Sequence, residues 1–244
     1  HFRMYIDKRG NTIRVDFNDL DKIELALSKI HTTGLGMSIG TLFQGSIPLH
    51  AAGIEIDGKL VALLAPSGAG KSTLLWTLLD QGAKFVSDDI VMTHFIDGRV
   101  VATPSVSLHS RLSKKSLEAR AMDWTQYQEV YPDEEKYWVP IDADRRVQKK
   151  GSLDALFVLQ PLPFSESPHP VLVRRQVGAA ALSLLLENTH GLWAVSEQLL
   201  TKKVFSQYTI LAKSVPIYAI RYNKCFKVLP EIGRNIRKRL HPEV

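Results

Sequence analysis

The sequence predicts an α/β fold, built on a mixed sheet with hairpins and joined by a small N-terminal α+β layer. One observation is a glycine-rich turn between an apolar, strand-like run at 60–64 and a helix-like run at 74–79. A second is a pair of Asp-Gly dipeptides, each flanked by apolar runs as in a two-residue hairpin. A third is the succession of strand and helix patterns along the chain, with no internal repeat.

The predicted N-terminal layer covers residues 1–46. Residues 13–17 alternate like a strand, and residues 19–30 carry apolar side chains at helical spacing, namely Leu20, Ile23, Leu27 and Ile30. Three glycines follow at irregular spacing, which argues against a dinucleotide motif and predicts a loop; they are Gly34, Gly36 and Gly40. Residues 47–244 form the predicted second domain.

The glycine-rich turn reads Ala65-Pro66-Ser67-Gly68-Ala69-Gly70-Lys71-Ser72-Thr73. This is the spacing of a phosphate-binding P-loop, with alanine in place of the usual first glycine. Gly68 and Gly70 allow backbone angles that turn the amides inward on a phosphate. Lys71 can reach the outer phosphates, and Ser72 can hold Mg²⁺. The predicted nucleotide-binding residues are Ser67, Gly68, Ala69, Gly70, Lys71, Ser72 and Thr73.

The strand before this turn is predicted as the second arm of a hairpin, because Asp57-Gly58 precedes it. In the common nucleotide-binding folds a helical crossover leads into the P-loop strand, whereas here the neighbour is antiparallel. Asp97-Gly98 predicts a second hairpin further along the chain.

Asp88 and Asp89 follow a short strand predicted at 84–87, after the P-loop helix. We expect that strand beside the P-loop strand, with both ending at one edge of the sheet. Phosphoryl transfer needs a carboxylate to orient or deprotonate the acceptor hydroxyl, and this pair can supply it. Because adjacent strand residues point to opposite faces, one aspartate would meet the acceptor and the other would face magnesium or the structure beneath. The alternative is two turn-forming aspartates.

His50 is a third candidate, at the start of the hairpin arm 49–56. That arm can run beside the P-loop strand, which would bring His50 near the phosphates or near the aspartate pair. The alternative is a purely structural histidine. The remaining histidines show no metal-ligand spacing and receive no role.

Residues 111–150 contain many charged and aromatic side chains, so we expect this segment to be poor material for the hydrophobic core. Two interpretations stay open: a solvated insertion, or a mobile wall that grips a peptide substrate. An arginine could also steady a phosphoryl-transfer transition state, and the sequence does not choose among Arg111, Arg174, Arg175 and Arg221.

The composition limits the kinds of partner that the protein can bind. The formal net charge of +6 fits an anionic ligand, but also a nucleic acid or an acidic peptide. The basic residues of a helix predicted at 230–240 favour a solvated face over a nucleic-acid site. The single cysteine, Cys225, excludes an internal disulfide and suits a reducing cytoplasm. No apolar run reaches the roughly 18 residues of a membrane span, so we expect no membrane partner. Monomer and homo-oligomer both stay open.

The run from residue 49 to residue 89 resembles the catalytic core of HPr kinase/phosphorylase and its shorter relatives. The resemblance combines His50-Ala51-Ala52, the P-loop at 65–73, and Gly82-Ala83-Lys84-Phe85-Val86-Ser87-Asp88-Asp89. It implies a P-loop kinase core of the HPr kinase and phosphoenolpyruvate carboxykinase type, which uses ATP and Mg²⁺ to phosphorylate a serine hydroxyl.

Carried over by position, the resemblance makes Asp89 the general base and places His50 beside it. Lys71 would contact phosphates, and Ser72 and Asp88 would serve the metal. Thr73 stands where the full-length enzyme usually has glutamate, and no downstream glycine-rich segment with a metal-binding glutamate is found. The short chain is similar to tailoring kinases that phosphorylate the C-terminal serine of lasso-peptide precursors, so a peptide substrate with an acceptor serine is the expected partner.

Several rival functions stay open. An HPr-type protein kinase and a small-molecule kinase would use the same catalytic residues. A non-catalytic module that binds nucleotide only to set a conformation would need neither aspartate.

An ABC-type ATPase should show a Leu-Ser-Gly-Gly-Gln signature, and the sequence has none.

Overall fold

The structure is a computed structural model that describes residues 2–17, 22–131, 134–162, 171–195 and 202–242. The strands are β1 Phe2–Ile6, β2 Ile13–Phe17, β3 Ile47–Ile56, β4 Lys59–Leu64, β5 Lys84–Ser87, β6 Ile90–Ile96, β7 Arg99–Thr103, β8 His109–Ser113, β9 Lys136–Pro140, β10 Gly151–Leu162, β11 Leu172–Gln176 and β12 Ile217–Asn223. The α-helices are α1 Lys22–His31, α2 Met37–Gln44, α3 Lys71–Asp80, α4 Lys114–Glu118, α5 Gly178–Glu187, α6 Lys202–Ser214 and α7 Leu229–Leu240.

The central sheet is mixed, as the sequence predicts. Its strand order is β11-β12-β10-β4-β3-β6-β7, with β5 paired to β3. β10 lies parallel to β4 and to β12, whereas the other neighbours along this path are antiparallel. The start of β10 also pairs with β7, so strands β10, β4, β3, β6 and β7 close into a ring.

Both predicted hairpins are confirmed. β3 pairs with β4 across Asp57-Gly58, and β6 pairs with β7 across Asp97-Gly98. In each turn both residues have positive φ, as the tight turn between two twisted strands requires; for Asp57 and Asp97 the values are 50° and 49°.

The N-terminal layer consists of the β1–β2 hairpin, α1, a π-helical turn at Thr32–Gly36 and α2. The predicted loop at the three glycines is wrong, because Gly34, Gly36 and Gly40 are all helical. Packing explains two of them: a Cβ at Gly36 would lie 2.7 Å from Met4 Sδ, and one at Gly40 would lie 3.0 Å from the Gly10 carbonyl oxygen. The start of the predicted helix, with Leu20, lies outside the described residues.

The core lies on both faces of the sheet. Along β4, Val61 and Leu63 face one apolar cluster, whereas Leu60, Ala62 and Leu64 face the other. Helices α3 and α7 cover the first cluster and α5 and α6 cover the second. A strand buried on both faces has little freedom to shift, so β4 gives the P-loop a rigid base.

The prediction of poor core material at 111–150 is wrong in part. The segment forms the β8–β9 hairpin and α4, and five of its apolar side chains are buried against α3 and the sheet: Leu112, Leu117, Tyr137, Val139 and Ile141. Alternation along the two strands turns Leu112, Tyr137 and Val139 towards the core and Arg111 and Lys136 to the opposite face.

In the described part of the chain, no helix is both long enough and apolar enough to cross a bilayer.

Candidate active site

The P-loop connects the buried end of β4 to the first turn of α3. Gly68 and Gly70 have φ of 76° and 98°, a region that side chains with a Cβ rarely adopt. The cap residue of α3 is Gly70, which has no side chain that could bond the first amides of the helix. The first amides of the helix are therefore available to an anion, which the helix dipole also favours.

Two side-chain contacts fix the loop from outside. Tyr222 Oη, at the end of β12, donates to the Ala69 carbonyl oxygen at 2.6 Å. Burial raises the pKa of Tyr222 to about 12, so this donor keeps its proton at neutral pH. Thr73 Oγ1 lies 2.9 Å from Ser116 Oγ on α4, which joins the start of α3 to the β8–β9 region.

The expectation that β5 lies beside the P-loop strand is wrong. β3 lies between β4 and β5 and is antiparallel to both. β4 and β5 are consequently parallel to each other and end at the same edge of the sheet. Because β3 lies between β4 and β5, the Asp88–Asp89 pair stays at the edge of the sheet where the P-loop begins. β3 runs in the opposite direction and contributes His50 to the same edge.

Asp88 joins three parts of the site through its carboxylate. Oδ1 accepts from Ser72 Oγ at 3.1 Å, and Oδ2 accepts from Ser110 Oγ at 2.7 Å and from the Arg111 amide at 2.9 Å. Among the described residues no group of three or more His, Cys, Asp or Glu side chains could hold a metal. Mg²⁺ commonly uses one or two protein oxygens together with waters and substrate phosphates, so the Ser72 and Asp88 oxygens fit it.

Asp89 turns the chain at the end of β5. Its φ is 79°, a left-handed conformation that aspartate tolerates better than most residues, and its carbonyl oxygen accepts from the Ala51 amide at 3.1 Å. Its carboxylate forms an ion pair with Arg111, and His50 Nε2 lies 3.4 Å from its other oxygen. The Asp89 side chain stays 31% exposed, so it remains open to an acceptor.

The charge around Asp89 decides its ionisation. Burial alone would raise the pKa of Asp89, but the hydrogen bond from His50 and the charges of Arg111 and Lys71 outweigh it and hold the pKa well below its ordinary value. Asp89 is therefore a carboxylate at neutral pH.

His50 is positioned from two directions. Its backbone amide donates to the Asn188 carbonyl oxygen at 2.7 Å, and its ring lies edge-on to His190, with ring centroids 6.0 Å apart. His190 Nδ1 lies 2.9 Å from Ser38 Oγ on α2, and burial lowers the pKa of His190. Sequence reasoning gave His190 no role, and no spacing along the chain indicates its place beside His50.

His50, Asp88, Asp89 and Arg111 line one cleft of about 180 Å³ together with the glycine-rich turn, and we call it the phosphate cleft. Its walls are His50, Pro66, Ser67, Gly68, Gly70, Lys71, Ser72, Thr73, Asp88, Asp89, Arg111, Leu112, Ser113, Ser116 and Lys136. Every predicted site residue except Ala69 therefore reaches one cleft; Ala69 is buried and contributes its carbonyl oxygen to Tyr222.

Lys71 is buried in this cleft, with 8% exposure. Burial lowers the pKa of Lys71 to about 8, although the nearby carboxylates of Asp89 and Asp88 oppose this effect. The lysine is still largely protonated at pH 7. A bound phosphate would add negative charge beside it and favour the protonated form further.

Sequence reasoning missed most of the wall opposite the P-loop. Ser113, Ser116 and Lys136 come from 109–140 and carry no motif. Arg111 was one of four open arginines, and the structure brings it to the phosphate cleft, where its guanidinium lies 5.7 Å from the Trp138 ring centroid. Arg174 and Arg175 lie on the edge strand β11, and Arg221 lies beside them on β12 with its Nε directed to Gln160.

No protein-family profile matches the chain, and no curated protein sequence matches it. Among solved structures, the Hpr(Ser) kinase/phosphatase from Coxiella burnetii aligns with 79% of this chain and 95% of its own, at 13% identity and a TM-score of 0.42. At this level of similarity the alignment assigns neither an activity nor site residues to this chain.

The depressed pKa of Asp89 predicts a specific acid sensitivity of the fold. The ionised Asp89 stabilises the folded chain at pH values above the unfolded pKa of about 3.9, and that contribution is lost as the pH falls towards the folded value. Between about pH 5 and about pH 3, the wild type should therefore lose more unfolding free energy than Asp89→Asn does, as measured by urea denaturation.

Asp97→Asn is the matched control, because Asp97 is exposed and also has positive φ. This variant should lose as much stability on acidification as the wild type. An Asp89→Asn protein that loses just as much would show that the carboxylate is not held in its ionised form.

Proposed function

We propose that the protein is an ATP-dependent kinase that transfers the γ-phosphoryl group to a serine hydroxyl of a peptide. One observation carries the proposal: Lys71, the Ser72–Asp88 pair and Asp89 line the same small cleft at the N-terminus of α3. A phosphate-binding turn alone would support only nucleotide binding. The carboxylate beside it supplies what phosphoryl transfer additionally needs.

The phosphates would be bound by the amides of the P-loop and of the first turn of α3, together with the Lys71 ammonium. Ser72 and Asp88 would hold Mg²⁺, which neutralises charge on the phosphate oxygens when it is bound. The existing contacts of Asp88 with Ser110 and Arg111 keep its carboxylate oriented towards Ser72.

Asp89 would act as the general base. As the serine oxygen forms its bond to the γ-phosphorus, the bond from that phosphorus to the β–γ bridging oxygen breaks and ADP leaves. The hydroxyl proton passes to the Asp89 carboxylate. His50, 3.4 Å from Asp89 Oδ1, would orient that carboxylate.

In this mechanism the Arg111 guanidinium can pair with the Asp89 carboxylate or with the γ-phosphate. The Arg111 guanidinium pairs with Asp89 and, together with the hydrogen bond from His50, holds the pKa of Asp89 well below its ordinary value, which makes Asp89 a weak base. A γ-phosphate in the cleft offers Arg111 more negative charge and a bidentate geometry. Transfer of the guanidinium from Asp89 to the phosphate would strengthen the base and stabilise the developing charge together.

The acceptor side of the cleft favours a peptide that carries negative charge. Arg111 on β8 and Lys136 on β9 line the cleft, and the Arg111 guanidinium lies 5.7 Å from the Trp138 ring centroid. A terminal carboxylate next to the acceptor serine would be attracted by the charges of Arg111 and Lys136. This attraction supports the C-terminal serine of a lasso-peptide precursor as the substrate. The HPr protein and small hydroxyl compounds are the competing acceptors.

An acceptor panel tests the function. The protein, ATP and Mg²⁺ are incubated with precursor-like peptides ending in serine, with the same peptides ending in alanine, and with HPr. We expect a mass gain of about 80 Da on the serine-ending peptides alone. A gain on HPr alone would overturn the peptide assignment, and ATP binding without any transfer to these acceptors or to small hydroxyl compounds would favour the non-catalytic module.

Substitution at Asp89 should separate chemistry from binding. Asp89→Asn keeps the size of the side chain but removes the base, so we expect turnover to fall about 10²- to 10⁴-fold while the Kd for ATP stays nearly constant. Lys71→Ala is the contrasting variant, since it should weaken ATP binding as well as turnover. Normal turnover in both variants would refute the site assignment.

A further inference from the structure

A second cleft opens next to the phosphate cleft, on the side of the P-loop that faces β12 and the start of α7. It measures about 580 Å³, and we call it the flanking cleft. Its lining is Gly68, Ala69, Gly70, Thr73, Ser113, Lys115, Ser116, Tyr222, Lys224, Cys225, Phe226 and Leu229. Gly68, Gly70, Thr73, Ser113 and Ser116 line both clefts, so the two spaces are continuous along the P-loop.

Size separates the two spaces. Sites for whole small molecules typically measure about 300–1,000 Å³. The phosphate cleft, at about 180 Å³, is too small for an entire nucleotide, whereas the flanking cleft falls within the range. A nucleotide whose phosphates fill the first cleft must place its remaining part elsewhere.

The direction of the P-loop indicates where that part goes. Lys71, Ser72, Asp88 and Asp89 line the phosphate cleft only, so the reacting end of a phosphate chain belongs there. Thr73 lies one residue further along α3 and faces both clefts. The opposite end of the phosphate chain would therefore leave past Thr73 into the flanking cleft.

The lining suits an uncharged ring attached to a phosphate. It contains two lysines, Lys115 and Lys224, and no aspartate or glutamate. Phe226 is 40% exposed at its wall, on the short 3-10 turn Phe226–Val228 that leads into α7. Backbone hydrogen bonds hold this turn, from Cys225 to the Asn223 carbonyl at 2.8 Å and from Val228 to the Cys225 carbonyl at 3.4 Å.

We propose that the flanking cleft is the nucleoside site and that the base of ATP stacks on Phe226. The inference rests on the proposed function, because it presumes that the phosphates bind at the P-loop. It adds a binding surface, 222–229, that no motif in the sequence marks. Aromatic stacking would supply affinity for the base in addition to the charge-based binding of the phosphates.

Two ligands separate base binding from phosphate binding: ATP and inorganic tripolyphosphate. Phe226→Ala should raise the Kd for ATP about 5- to 150-fold, the range that loss of one base–aromatic stack gives. The Kd for tripolyphosphate should stay within about twofold, because Phe226 does not reach the phosphates. Phe226→Tyr keeps an aromatic face and should retain most of the ATP affinity.

Phe205→Ala is the matched control, since Phe205 on α6 is 46% exposed and lines neither cleft. It should leave both Kd values unchanged. Equal melting temperatures for the phenylalanine variants would show that lost affinity is not lost folding.

The single cysteine gives an independent measurement. Cys225 is exposed and lines the flanking cleft, so the rate of its alkylation by N-ethylmaleimide reports on occupancy. Saturating ATP should slow the alkylation at least about fivefold, whereas tripolyphosphate should leave the rate nearly unchanged, since only ATP carries the base into this cleft.

The outcomes distinguish the two proposals. If ATP and tripolyphosphate compete for the protein but ATP neither protects Cys225 nor depends on Phe226, the nucleoside site is wrong and the proposed function stands. Protection of Cys225 by the acceptor peptide in place of ATP would likewise overturn the nucleoside site. If neither ATP nor tripolyphosphate binds, both proposals fail.

Discussion

The Asp88 carboxylate is the junction on which the arrangement of the site depends. It accepts hydrogen bonds from the P-loop helix through Ser72 and from the β8 strand through Ser110 and the Arg111 amide. A half-buried carboxylate that lost these donors would carry an unsatisfied charge. The hydrogen bonds of Asp88 therefore stabilise the contact of the end of β5 with α3 and β8. The junction fixes the backbone of Arg111 and thereby brings its guanidinium to Asp89.

The strand order makes this junction available. With β3 between them, β4 and β5 are parallel without being neighbours, and both deliver their carboxyl ends to one edge. The same spacer strand carries His50 to Asp89. One antiparallel strand therefore carries His50 and also sets the distance between the glycine-rich turn and Asp89, which a direct β4–β5 pairing would bring closer together.

The sequence predicts the local features well, because each depends on a few neighbouring residues. The two Asp-Gly hairpins and the mixed sheet follow from short patterns that the structure reproduces. The position of β5 was predicted wrongly, since it is decided by a pairing with β3 across 29 to 34 residues of the chain. The helical conformation of Gly36 and Gly40 and the burial of Leu112, Leu117 and Tyr137 were missed for the same reason: close packing against distant segments outweighs local composition. Likewise, Arg111 could be named as a candidate but not selected until β8 was placed on Asp88.

A crystal structure of the protein with Mg²⁺ and a non-hydrolysable ATP analogue tests the central claim most directly, namely that the P-loop and Asp89 form one phosphoryl-transfer site. We expect phosphates along the P-loop amides, the γ-phosphate facing Asp89, and the Arg111 guanidinium paired with that phosphate in place of Asp89. A triphosphate whose γ end points away from Asp89, with the Arg111–Asp89 ion pair intact, would contradict it.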